Sequence, residues 1–177
     1  KRMKSRRAKV LHDLCGRPLL GHVLKVAAAL EPSRTVVVVG RDAQEVRERF
    51  AGQAEFVLQA ERRGTGHAMM QAQPLLAESS AEVLALYGDT PLLREETLAR
   101  MSQLKSETGA ALVLLSSPQP LPGRVVRNAS GAVARIVEEK DASPEELEIQ
   151  EGNTGVYLLD ADLLAAGLDS LDDNNAQ

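Results

Sequence analysis

The stretch Val83-Leu84-Ala85-Leu86-Tyr87-Gly88-Asp89-Thr90-Pro91-Leu92 decides how this chain is to be understood. Val83 to Tyr87 carries no charge, the pattern of a parallel strand buried on both faces. Gly88 lets the backbone come close to another group, and Asp89 then falls at the carboxyl end of the strand. In open α/β sheets, ligands bind in the crevice outside those ends. A carboxylate there either caps the next turn or helix or faces a ligand, and the flanking sequence has to choose.

Upstream, Thr35-Val36-Val37-Val38-Val39-Gly40 is a β-branched run ended by glycine, the clearest strand of the chain. Asp42 and Glu45 have capping-box spacing, and Ala43, Val46 and Phe50 form an apolar stripe behind them. Phe56-Val57-Leu58 is a further strand. Before both, Pro18 to Leu30 has helical periodicity, with Leu19, Leu20, Val23, Val26, Ala27 and Leu30 on one face and Pro18 suited to the first turn. Downstream, Leu98, Met101 and Leu104 give a helix near Glu95–Leu104 its apolar face, and Ala110 to Leu115 is another buried strand. Strands and helices in alternation predict an α/β fold with a mostly parallel sheet. After Ser116 the pattern changes. Pro118, Pro120 and Pro122 punctuate a loop, and Gly123–Arg127 and Ala132–Val137 flank an Asn128–Gly131 turn, a small antiparallel excursion. A last strand, Gly152 to Leu159, runs into a short helix opened by Asp160.

Composition narrows the function. The 177 residues are enough for one domain with a real core, here residues 1–177. Aromatics are only 2%, which argues against stacking platforms for single-stranded nucleic acid, and the net charge of −4 gives no support to general polyanion binding. No nucleic-acid partner is expected. The one cysteine, Cys15, excludes an internal disulfide and any multi-cysteine metal site, and fits a reducing, cytoplasmic setting. No apolar run approaches membrane-spanning length. A first residue other than Met and an unpunctuated end at Asn174-Asn175-Ala176-Gln177 are expected of a fragment.

Several polar positions stand out. Lys1, Arg2, Lys4, Arg6, Arg7 and Lys9 precede the first acid, Asp13; they are either a solvated arm or a set of cations for a polyphosphate. Gln59 ends a strand, and Gly64-Thr65-Gly66 opens the helix that follows, offering backbone amides to an anion or to the polar edge of a base. Gln59 adds an amide that both donates and accepts. His22 and His67 are expected to pack or cap rather than to catalyse. Among seven acids between residues 138 and 151, Glu138 differs because it ends a strand and can share the crevice with Asp89. Asn153 offers amide hydrogen bonds at the entry of the last strand, or serves its turn.

In order along the chain, Arg2-Met3, Lys9-Val10-Leu11, Leu58-Gln59-Ala60-Glu61, Gly64-Thr65-Gly66-His67-Ala68, Tyr87-Gly88-Asp89-Thr90-Pro91-Leu92, Ile136-Val137-Glu138, Lys140-Asp141-Ala142, Asn153-Thr154-Gly155 and Asn174-Asn175-Ala176-Gln177 resemble one family. It is the N-terminal uridylyltransferase domain of the bacterial bifunctional N-acetylglucosamine-1-phosphate uridylyltransferase/glucosamine-1-phosphate acetyltransferases. The resemblance implies a Rossmann-like nucleotidyltransferase fold. It also implies transfer of UMP from UTP to N-acetylglucosamine 1-phosphate with Mg²⁺, for cell-wall precursor synthesis. By matching position, Arg2 and Lys9 would hold the triphosphate as catalytic cations. Gln59, Gly64 and Thr65 would read the uracil, Asp89 would bind Mg²⁺, and Tyr87, Gly88, Gly123, Glu138 and Asn153 would complete the substrate site. The parent protein would be a homotrimer through a C-terminal domain that this chain lacks.

The chain departs from the family pattern in places. The family has an apolar strand and a Leu-Ala-Ala-Gly-x-Gly loop before its Arg-Met pair, has Pro where Ala8 stands, and has Tyr-Gly-Arg-Ile where this chain has Pro122-Gly123-Arg124-Val125. A later Asn that completes the family's metal site would lie beyond Gln177. The chain is therefore expected to be a partial domain, lacking its first strand and its C-terminal part, and inactive or badly impaired alone. Two alternatives remain: another sugar-1-phosphate nucleotidyltransferase, such as a thymidylyltransferase, or a non-catalytic nucleotide-sugar-binding domain of the same fold. An NAD-dependent dehydrogenase is disfavoured because no Gly-x-Gly-x-x-Gly strand-to-helix turn is present.

Overall fold

In the computed structural model, which describes residues 5, 7–40, 43–61, 63–77 and 82–170, a 3-10 turn at Lys9–Leu11 leads into a hairpin of β1 (Asp13–Leu14) and β2 (Arg17–Pro18). Cys15 and Gly16 at its tip have φ of 50° and 78°, the two positive values that a primed two-residue turn needs. Helix α1 (Leu19–Ala28) follows, burying Leu20, Val23 and Leu24. Pro18 stands at its N-cap, one residue before the first turn.

The next unit is a strand–helix–strand crossover. β3 (Val36–Val39) pairs in parallel with β4 (Glu55–Leu58), and α2 (Gln44–Arg49) connects them. A parallel pair needs such a crossover because a tight turn cannot reverse the chain twice. Asp42 of the expected capping box lies outside the described residues. The Glu45 carboxylate meets Arg7 Nε at 3.1 Å.

Helix α3 (Gly64–Ala77) leads to β5 (Glu82–Ala85), and α4 (Glu95–Thr108) to β6 (Leu112–Ser117). α4 ends at Gly109, whose left-handed φ of 63° lets its N–H reach Lys105 O at 2.9 Å. The antiparallel excursion is β7 (Gly123–Arg127) and β8 (Val133–Glu138). α5 (Pro144–Leu147) carries a full capping box between Ser143 and Glu146. β9 (Gly152–Asp160) and α6 (Ala161–Asp169) close the described chain.

The α/β class is the expected one, but the pairing is more mixed than a mostly parallel sheet. Among the described residues β3–β4 is the one parallel ladder. In the five-stranded sheet β9 runs antiparallel to both β5 and β6, and touches β7 in the same sense. β5 and β6 therefore point the same way with β9 reversed between them. Strand–helix alternation fixes the direction of β5 and β6 and says nothing of a strand that arrives 35 residues after Ser117 and inserts between them.

Two apolar clusters hold these layers. Leu11, Leu20, Leu24, Val39, Ala43, Val46 and Phe50 join the 3-10 turn, α1, β3 and α2. Leu98, Met101, Val113, Val156 and Leu158 pack α4 on β6 and β9. Leu11 and Leu98 are 0% and 1% exposed, and burying each contributes roughly 1.5–3 kcal/mol. Lys105 is nearly buried at the edge of the second cluster. Its Nζ lies 2.5 Å from Asp160 Oδ1 and 3.0 Å from Glu82 Oε1, which ties α4 to β5 and to the end of β9. The hydrogen bonds to Asp160 and then Glu82 raise its pKa above the usual lysine value.

Candidate active site

The site begins with an irregularity in β9. Leu115 of β6 faces Val156, but the next residue, Ser116, faces Asn153. Thr154 and Gly155 are thus extra residues on β9, a bulge that bends the strand and re-aims its side chains. The motif supplies the polar groups that hold it. Thr154 Oγ1 donates to Leu115 O at 2.6 Å, and Asn153 Oδ1 accepts the Gly155 N–H at 3.1 Å. Gly155 has φ of +74°, and a Cβ there would lie 2.1 Å from Tyr87 Cε2. The Tyr87 ring rests on this glycine.

The register then aligns one face of the sheet. Leu114 and Ser116, two apart on β6, face Tyr157 and Asn153, so both of these project to the same side. Gly123 is paired with Glu138, and the neighbouring Arg124 with Gly152, which puts Gly123 beside Asn153. A Cβ on Gly123 would lie 3.1 Å from Glu138 Oε1 and 3.2 Å from Asn153 Cβ. Gly123 is the low point between an amide and a carboxylate. Asn153 Nδ2 reaches the Tyr157 hydroxyl at 2.6 Å. Burial pushes the Tyr157 hydroxyl above its usual pKa; the Asn153 bond opposes this, and Tyr87 and Glu138 add to the rise.

Asp89 lies where the sequence places it, in the turn after β5. Gly88 is close-packed: a Cβ would approach Leu20 Cδ1 at 3.3 Å and Val10 Cγ1 at 3.5 Å. That contact brings the Lys9–Leu11 turn against the Asp89 turn. Lys9 Nζ then meets Asp89 Oδ2 at 2.5 Å. The two side chains retain 56% and 30% of their exposure, so this is a solvated pair worth about 0–1 kcal/mol. It does little to hold the fold together, and both charges remain accessible to a ligand.

Gln59, Gly64 and Thr65 form a second group at the carboxyl end of β4. The Gln59 N–H is held by Val39 O at 2.8 Å. Its side-chain Nε2 donates to Gly64 O at 3.0 Å and lies 3.1 Å from His67 Nδ1. Gly64, the first residue of α3, has φ of +91°. His67 sits between Gln59 and Gln71 as a packing and orienting group, and His22 Nε2 meets Leu14 O at 2.8 Å. Of the expected site residues, Lys9, Tyr87, Gly88, Asp89, Gly123, Glu138 and Asn153 come together around the β5–β9–β7 face, and Gln59, Gly64 and Thr65 stand together at β4. Arg2 lies outside the described residues. Tyr157 and Gly155 were missed. Tyr157 lies four residues after Asn153 in a strand that is otherwise mostly apolar, a signal open to the eye once the bulge is known.

Asp89 suits a hard divalent cation: its carboxylate is accessible, and among the described residues its Oδ2 meets a displaceable ammonium. Among the described residues no three His, Cys, Asp or Glu side chains converge as a metal cage. An accessible carboxylate fits Mg²⁺, which is bound by one or two carboxylates together with phosphate oxygens and water. A concavity of about 540 Å³ between α4 and β6 lies elsewhere. Met101, Leu104 and Leu115 line much of it beside Arg94 and Arg100, and none of the expected site residues lines it. Its shape comes from the outer edge of β6, which has no partner strand among the described residues.

The site thus joins a carboxylate in the turn after β5, a cation on the adjoining 3-10 turn, and a face of amide, hydroxyl and carboxylate groups, and the comparisons give the class of protein that carries it. Residues 1–147 match the model of the MobA-like NTP transferase domain, and the chain belongs to that family. It is 48% identical to Bifunctional protein GlmU of Burkholderia ambifaria and 44% identical to that of Lactobacillus delbrueckii subsp. bulgaricus. These alignments cover 100% and 99% of this chain but 39% of each relative, so the chain spans about two fifths of their length. Among solved structures, CMP:2-keto-3-deoxy-manno-octonic acid synthetase complexed with CTP superposes with a TM-score of 0.67 at 19% identity, covering 95% of this chain and 74% of the other. Apo UDP-glucose pyrophosphorylase also gives 0.67, at 16% identity, over 96% and 75%. These two likenesses establish the fold. No helix among the described residues is long and apolar enough to cross a membrane.

Proposed function

We propose that the protein carrying this chain transfers UMP from UTP to N-acetylglucosamine 1-phosphate, giving UDP-N-acetylglucosamine and pyrophosphate, with Mg²⁺ held at Asp89. The observation that carries this reading is the meeting of Lys9 and Asp89 at 2.5 Å beside the face of Tyr87, Gly123, Glu138 and Asn153. A sugar phosphate oxygen attacks the α-phosphorus of UTP, and the bond from that phosphorus to the bridging oxygen breaks. Pyrophosphate leaves with the bonding electrons. The attacking group is already anionic at neutral pH, so no strong general base is needed. The protein has to hold two mutually repelling anions in line and neutralise the charge that develops.

Each group then has a task. Lys9 moves from Asp89 to the phosphates, and Arg2 joins it there. Mg²⁺, when bound, supplies further positive charge at the phosphates. Gln59 has its Nε2 committed to Gly64 and His67, and its Oε1 is an acceptor suited to a uracil N–H. The amides of Gly64 and Thr65 open α3 next to it. Asn153, Glu138 and Tyr87 offer an amide, an acceptor and a ring to a neutral sugar. Cytoplasmic location, a part in cell-wall and lipopolysaccharide precursor synthesis, and a homotrimeric parent belong to the same reading, supported by the likeness to the GlmU proteins.

The test is pyrophosphate release by the complete protein, comparing UTP with dTTP and CTP, and N-acetylglucosamine 1-phosphate with glucose 1-phosphate. The reading expects UTP with N-acetylglucosamine 1-phosphate to be turned over best. Preference for dTTP with glucose 1-phosphate would reassign it as a thymidylyltransferase. Binding without turnover would make it a nucleotide-sugar-binding module.

A further inference from the structure

We propose that Tyr157 is a positioning residue for the sugar subsite: its hydroxyl locks the Asn153 carboxamide in the one orientation that serves the ligand. The inference rests on the reading of Asn153 as a sugar contact. A carboxamide is nearly symmetric in shape, so its two ends are told apart by their partners. Here both ends are held. The Gly155 N–H can only donate, so the end 3.1 Å away must be Oδ1. That leaves Nδ2 facing Tyr157 Oη at 2.6 Å, where the phenolic oxygen accepts.

The arrangement leaves one N–H and one lone pair of Asn153 for a ligand. The bulge at Thr154 and Gly155 brings the two side chains to one face, and burial, which pushes the Tyr157 hydroxyl up, keeps the phenol neutral. Without the hydroxyl the amide keeps only the Gly155 bond and rotates more freely. Order at the moment of sugar binding is then lost, and ordering a side chain has to come out of the binding free energy.

The test uses Tyr157→Phe, Asn153→Ala and the double variant in the complete protein, with KM measured for N-acetylglucosamine 1-phosphate and for UTP. Tyr157→Phe keeps the ring and its packing. It is expected to raise KM for the sugar phosphate roughly three- to tenfold, the worth of one hydrogen bond, while KM for UTP stays at the wild-type value. Asn153→Ala is expected to raise the same KM, and adding Tyr157→Phe to it to change nothing more, because the hydroxyl acts through the amide. An unchanged KM in Tyr157→Phe overturns the proposal. So do effects that multiply in the double variant, or an equal rise in KM for UTP, which marks a merely structural role. If Asn153→Ala itself leaves KM for the sugar phosphate unchanged, the failure lies instead with the sugar subsite.

Discussion

At the scale of single residues, magnitudes separate the groups that serve chemistry from those that serve the fold. The Lys9–Asp89 pair is short at 2.5 Å but solvated, so its loss removes about 0–1 kcal/mol of stability. Asp89→Ala should therefore leave the circular dichroism spectrum and melting temperature close to wild type. The same change should reduce turnover by roughly 10²–10³, as loss of one preorganised electrostatic group does; pyrophosphate release checks it. Gly155 is the opposite case. A side chain at φ +74° is strained, and its Cβ would lie 2.1 Å from the Tyr87 ring. Gly155→Ala should cost about 2–6 kcal/mol, the sum of left-handed strain and overpacking, read as a shift in the urea midpoint. Asp89, Glu138 and Asn153 were legible as residues because polar groups at strand ends stand out against apolar runs. Their partners were not. That Lys9 touches Asp89 depends on how closely Gly88 lets Val10 and Leu20 approach, a packing distance that no local pattern encodes.

At the scale of elements, two charged contacts make different predictions. Lys105 binds Glu82 and Asp160 from a nearly buried position, whereas Arg100 meets Glu107 at 3.8 Å with 63% and 50% exposure. Lys105→Ala should lower the melting temperature more than Arg100→Ala, because two carboxylates lose their common partner. Arg127 holds both oxygens of Glu151 at 2.7 Å, joining the end of β7 to the start of β9. Arg127 pulls the Glu151 carboxyl down from 4.5 to about 2. An acid depressed on folding stabilises the fold only while ionised. Its contribution is full above about pH 4.5 and disappears as pH falls toward about 2. With a quarter of the Glu151 side chain in water, screening limits that contribution to about 1 kcal/mol. Glu151→Gln should remove it from the acid limb of a stability profile and leave the difference from wild type near zero at pH 2. Helix α4 and strands β3, β5 and β6 were legible from periodicity. The bulge in β9 was not, because Asn153-Thr154-Gly155 has the composition of an ordinary turn and becomes a bulge only when β6 lies beside it.

At the scale of the whole molecule, strand order converts scattered motifs into one site. β9 is inserted between β5 and β6, reversed in direction, and so carries Asn153 and Tyr157 to the end of the sheet where Asp89 emerges from β5. The α/β class followed from alternation, but this reversal did not, since direction within a sheet is set by contacts distant in sequence. It is also the reason the antiparallel β7–β8 excursion belongs to the site: it lays Gly123 and Glu138 beside β9. The central claim is that these elements build a single nucleotidyl-transfer centre around Asp89. The direct measurement is Mg²⁺-dependent release of pyrophosphate from UTP and N-acetylglucosamine 1-phosphate by the complete protein, wild type against Asp89→Ala. The account predicts robust release by the wild type and a loss of roughly 10²–10³ in the variant, with the fold unchanged. Equal release by the two proteins would contradict it.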